Sequence, residues 1–133
     1  MTDYNVPNLA EDSDNEEYSN EPLSMDSLEG YQQFVRSTKA YDSEYNLVYP
    51  VLGLANEAGE VAGKLKKIMR DESGQMSEEN FYAIVAELGD VAWYLTAVAD
   101  DLGITISDIF YENYKKLSSR KARGVIKGSG DNR

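Results

Sequence analysis

The stretch LGLANEAGEVAGKLKKIMRD, Leu52–Asp71, decides the fold. Its apolar residues Leu54, Ala55, Ala58, Val61, Ala62, Leu65, Ile68 and Met69 recur at three- and four-residue steps, the period of one face of an α-helix. Two acids, Glu57 and Glu60, stand inside that pattern. Three residues apart, they leave the helix from one face. Towards the N-terminus the pattern extends through Val51 to about Tyr49, with Pro50 in the first turn, where its missing N–H costs nothing. Residues 71–75, with Gly74, end it.

A second helix of the same make follows. Ser77 is placed to cap it, and Glu78 and Glu79 suit the positive end of the helix dipole. Phe81, Ile84, Val85, Leu88, Val91, Leu95, Val98 and Leu102 give the apolar face, and Gly103 the stop. Inside it lie Glu87 and Asp90, again three apart. At about 100° per residue, each acid pair sits at the edge of its apolar arc, centred on Ala58 and Leu65 in one helix and on Leu88 and Leu95 in the other. Packed antiparallel, the two helices bring four carboxylates to one border of their shared seam. Four oxygen ligands between two helices are what a hard cation such as Mg²⁺ requires, with Mn²⁺ a possible substitute.

Outside this hairpin, Leu28, Tyr31, Phe34 and Val35 mark a short earlier helix, and the polar stretch Tyr41–Asn46 a loop. Ser107 is expected to cap a last helix with Ile109, Phe110, Tyr114 and Leu117 inward. No strand is foreseen. The expected class is all-α, a four-helix bundle-type domain over 28–123, between a disordered acidic tail (1–27) and a Gly-rich end (124–133).

Composition narrows the chemistry. The 133 residues contain no Cys and no His, which removes thiol nucleophiles and the usual imidazole base. The net charge of −11 is largely a tail property: residues 1–29 hold nine acids and no Lys or Arg. Such a tail argues against nucleic-acid binding. No apolar run reads as a membrane span and no signal peptide is evident, so a cytoplasmic location is expected.

The helices also carry groups for an anionic substrate. Lys64 and Lys67 continue the Glu57–Glu60 face, and Asn113, Lys116 and Arg120 share a face of the last helix. A phosphate chain held by Mg²⁺ and bracketed by these cations is a coherent arrangement. Glycines 53, 59, 63 and 89 inside helices point to close backbone approach, and the nearly all-round apolarity of the third helix to a homodimer or homotetramer.

The run Leu52–Asp71 followed by ELGDVAWYL (Glu87–Leu95) resembles the MazG-like all-α nucleoside triphosphate pyrophosphohydrolases, whose pattern is E-x-x-E, a spacer, then E-x-x-D. Asn113-x-x-Lys116-Leu117-x-x-Arg120 resembles the family's phosphate-contacting segment, and the small form ending in GSGDNR is similar to bacteriophage versions. The resemblance covers about residues 31–120. It implies Mg²⁺-dependent hydrolysis of a (deoxy)nucleoside triphosphate to monophosphate and pyrophosphate, by attack of a metal-activated water on the α-phosphorus. In that scheme Glu57, Glu60, Glu87 and Asp90 hold metal and a carboxylate of the first pair orients the water. Lys64, Lys116 and Arg120 stabilise the leaving pyrophosphate, and Gln32, Gln33, Phe34 and Trp93 contact the base. The motif reads metal and phosphate rather than base, so dUTP, a guanosine alarmone or a phosphoribosyl nucleotide are alternative substrates. A helical partner-binding module is the alternative from another class.

Overall fold

In the computed structural model, which describes residues 27–127, the chain forms four helices: α1 (Leu28–Thr38), α2 (Val48–Asp71), α3 (Glu78–Asp101) and α4 (Ile106–Ala122). A 3₁₀ turn at Ser43–Tyr45 interrupts the loop between α1 and α2. The disorder expected for the acidic tail lies outside the described residues except at Ser27, which accepts the Gly30 N–H and caps α1, and residues 128–133 of the Gly-rich end lie outside them too. No strand occurs among the described residues.

α2 and α3 form the central antiparallel hairpin, and α1 and α4 pack on α3. Ser77 accepts the Asn80 N–H and caps α3, as its hydroxyl and the following acids suggest. Gly103, at φ 71°, closes α3, with the Ile104 N–H reaching back to the Ala99 carbonyl. α4 is capped by Thr105 rather than Ser107. Thr105 has the extended backbone a cap needs, and Asp108 three residues on completes a reciprocal capping box. Ser107 instead donates to Glu29 of α1.

Buried Gln32 staples α1 to the α3–α4 connection. Its amide donates to the Ile104 carbonyl at 2.9 Å, and its oxygen accepts the Ile106 N–H at 2.8 Å. Beside it, Asp100 accepts from Arg36 and Lys39, while Asp101 accepts from Lys39 (2.6 Å), Tyr41 (3.0 Å) and the Leu47 N–H (2.7 Å). Leu47 sits at φ 66°, ψ −46°, and the Val48 N–H bonds the Asn46 carbonyl two residues back. This is the rare, strained γ-turn. The Asp101 clamp holds the loop in it.

The Asp100 carboxyl is lowered from 3.8 to about 2, first by the hydrogen bond from Arg36, then by Lys39 and Gln32, against burial. Between those values the unfolded chain binds the extra proton, so this stabilisation is complete above about pH 5 and is lost as pH falls towards 2. Its size is about 1–2 kcal/mol, since Arg36 lies mostly in solvent. Acid titration of the melting temperature, with Asp100→Asn as control, is expected to show that loss flattened in the variant.

Three apolar expectations change. α2 meets α3 with Pro50, Gly53, Leu54, Glu57, Val61, Lys64 and Ile68, while the centre of its apolar arc, Ala58 and Leu65, faces outward. Phe110, Tyr114 and Leu117 of α4 are exposed rather than inward, because α4 is buried mainly at Ile106 and Arg120. α3 is half-covered, with Leu88 49% exposed. By length and composition α3 would pass for a membrane-crossing helix, yet Glu87 and Asp90 interrupt its apolar run and α2 packs along it.

The outward face of α2 is regular. Val48, Val51, Ala55, Ala58, Ala62, Leu65 and Met69 follow one another at alternating steps of three and four, all exposed, Met69 by 74%. That is the seam pattern of a coiled coil, with alanines at its middle.

Candidate metal centre

The antiparallel hairpin turns the two acid motifs toward each other. One carboxylate oxygen each from Glu57, Glu87 and Asp90 lies within 4.8 Å of the other two. Oxygens in one Mg²⁺ shell stand about 3 to 4 Å apart, so a single hard cation would draw these three carboxylates together. The donor set fits a hard cation: all oxygen, anionic, from two rigid helices. Glu60, one turn beyond Glu57 and exposed, is outside this cluster.

Carboxylates this close repel, by about 4 kcal/mol per pair at 4 Å and an effective dielectric of 20. Lys64 supplies the nearest compensation, its Nζ 3.1 Å from Glu87 Oε1. Asn56 donates to Glu57 at 3.3 Å. Two phenols border the acids. Burial and then the Asp90 charge raise Tyr31. Tyr94 is raised by burial, by its hydrogen bond with Tyr49 and by the nearby charges of Tyr49, Glu57 and Asp90.

Tyr94 is seated by a missing side chain. A Cβ at Gly53 would lie 2.2 Å from the Tyr94 ring, so the ring lies flat across α2 one turn before Glu57. Gly53→Ala is expected to lose about 2–4 kcal/mol in urea unfolding as the ring is driven off, against at most a small change for Gly59→Ala, where nothing lies within 4 Å.

The model of the MazG nucleotide pyrophosphohydrolase domain matches residues 50–125, a span that contains both acid motifs. The chain belongs to the MazG family. It is 51% identical over 92 residues to the Gene 37 protein of Mycobacterium phage L5, covering 69% of this chain and 81% of that protein. No solved structure matches. MazG membership and the acidic cluster together support a metal-dependent phosphohydrolase.

The remaining residues singled out in this MazG chain are dispersed. Lys67 is exposed on α2. Asn113 and Lys116 line a cavity of about 600 Å³ with Ile104, Asp108, Ile109 and Glu112, away from α2 packing, and Arg120 is buried. Gln32 is committed to the α3–α4 connection, Gln33 is exposed beside Arg36, Phe34 is half-buried, and Trp93 donates to Thr38 at 2.9 Å. Of the four helix glycines expected to mark close approach, Gly53 does so, against Tyr94, whereas Gly59, Gly63 and Gly89 have nothing within 4 Å of a Cβ; Tyr94 itself, and Lys39 with Asp101, are not marked in the sequence reading. Tyr94 had a signal, since it stands one turn after Asp90 on the acid-bearing helix. The Asp101 clamp had none, because its partners lie 54 to 62 residues away.

Proposed function

We propose that this chain hydrolyses (deoxy)nucleoside triphosphates to the monophosphate and pyrophosphate. The observation that carries the reading is the convergence of Glu57, Glu87 and Asp90 across the α2–α3 hairpin in a MazG chain. Glu57, Glu87 and Asp90, joined by Glu60 on a side-chain swing, would hold Mg²⁺ or Mn²⁺. The cation would neutralise phosphate charge and make a coordinated water more acidic. With no His in the chain, a carboxylate of the Glu57–Glu60 pair orients the attacking water. Lys64 turns from Glu87 to the phosphates once the acids are neutralised. Lys67, Asn113, Lys116 and Arg120 are assigned to phosphate binding on the family resemblance.

The test is incubation with the eight common NTPs and dNTPs, with Mg²⁺ or EDTA, and separation of products by anion exchange. Monophosphate plus pyrophosphate, with metal only, is the expected result. Diphosphate plus phosphate would mean another bond is cut, and no turnover would redirect the reading to dUTP-, alarmone- or phosphoribosyl-type substrates.

We further propose that two copies associate through the outward seam of α2 as a homodimer, alone or within a tetramer, in the cytoplasm where nucleotide pools lie. Exposed apolar residues in coiled-coil register over the whole helix support this. Ala58→Asp places a charge at the seam's centre and is expected to leave monomers in analytical ultracentrifugation at concentrations where the wild type associates.

A further inference from the structure

We propose that the acidic segment 1–26, which precedes the described residues, docks along the outer face of α4 of its own chain. That face is apolar and uncovered. Phe110, Tyr114 and Leu117 leave α4 at steps of four and three, and with Ile126 beyond its end they line a groove of about 550 Å³. All four are exposed, by 44% to 67%. A contiguous apolar row of this kind marks a surface that takes a partner.

Charge chooses the occupant. Residues 115–127 hold six bases, Lys115, Lys116, Arg120, Lys121, Arg123 and Lys127, and no acid. Lys115 is held by Glu112, and Lys121 stands in the groove itself. A second copy presenting the same face would set like charge against like, which repels. Segment 1–26 is the complement, with eight acids and no Lys or Arg, and six of the acids fall between Glu11 and Glu21. Tyr18, Leu23 and Met25 stand among them as apolar groups for the groove. A segment this acidic has too little apolar surface to fold alone, and orders by binding.

The point of departure fits the same occupant. Ser27 caps α1, and Glu29 in the first turn of α1 accepts the Ser107 hydroxyl in the first turn of α4 at 2.7 Å. Segment 1–26 therefore joins the described fold beside the start of α4. From there α4 runs about 25 Å, while the segment, fully extended, reaches about 85 Å. Read backwards from Ser27, Met25 and Leu23 come first, at the Phe110 end, and the acids follow towards Lys121 and Lys127.

The chain has no Cys, so Ser19→Cys supplies a single site for a nitroxide spin label. The full-length protein, labelled there and enriched for amide NMR, is compared before and after reduction of the nitroxide. The expected result is broadening of the amides of 110–127 and not of α2, weakening in about 1 M salt, where charges are screened beyond about 3 Å. Lys121→Glu with Lys127→Glu lowers that broadening about tenfold, and adding Glu16→Lys and Glu17→Lys restores it. The rescue separates docking from damage to α4. Broadening absent from α4, spread evenly over the fold, or indifferent to the charge reversal would overturn the proposal. A mixture of spin-labelled protein with enriched, unlabelled copies decides between chains. Broadening of α4 in the enriched copies would give the groove to the segment of a second copy, which also overturns it.

Discussion

Glu57→Gln is expected to reduce metal-dependent turnover by more than about 100-fold while the protein stays folded and melts no lower than the wild type. Loss of a residue that merely supports a metal ligand costs about 10–100-fold, and Glu57 is itself one of the converging oxygens. The amide keeps the size of the side chain and removes one of three mutually repelling charges, so stability is unchanged or slightly raised. Calorimetric titration with Mn²⁺ or Mg²⁺, alongside turnover of the best nucleotide, measures both sides. Undiminished metal affinity would remove Glu57 from the ligand set. Glu60→Gln sharpens the result. If Glu60 joins the cation on binding, its variant falls with Glu57→Gln; if it stays outside the cluster, metal affinity changes little.

Asp101→Ala carries the largest expected loss of stability, about 3–5 kcal/mol, read as a lower urea midpoint at unchanged m-value. The Asp101 side chain is 3% exposed and gathers a charged amine, a phenol and a backbone N–H on its two oxygens. Removing it strands Lys39, whose own side chain is 16% exposed, although Asp100 remains within 2.7 Å to share the charge. It also frees Leu47 from the turn that Asp101 enforces, and a strained turn of this kind relaxes once its holder is gone. Asp101→Asn keeps oxygen and shape without the charge and is expected to fall about halfway. A loss below about 1 kcal/mol in Asp101→Ala would mean that Asp100 alone secures the loop.

Much of the hairpin was legible because its signals are local. Three-residue spacing aims each acid pair, Ser77 is a hydroxyl before two acids, and Gly103 takes the left-handed turn that ends α3. The α4 cap is legible too: Thr105-x-x-Asp108 is a capping box, a stronger signal than the lone hydroxyl of Ser107. The orientation of α2 was not legible. An apolar arc ordinarily faces the chain's own core, whereas here the contact face is chosen by Gly53, which lets Tyr94 in, and by Lys64, which reaches Glu87. The wide apolar arc is left over as an outward seam. Nothing local marks Lys39 and Asp101 as partners, and the dispersed places of Gln32, Asn113, Lys116 and Arg120 follow from how α1 and α4 lean on α3 rather than on α2.

The notch at Gly53 also dictates an order of events in the chain's descent. A glycine inside a helix costs about 1 kcal/mol relative to alanine, so helix stability alone favours its replacement. Yet any side chain there meets the ring at position 94. Lineages can leave this pairing only by trimming the tyrosine first, and that step is penalised wherever the ring is in use. The two positions are therefore historically locked: each makes the other's most tempting single change a deleterious one, and they are expected to be kept, or lost, as a pair.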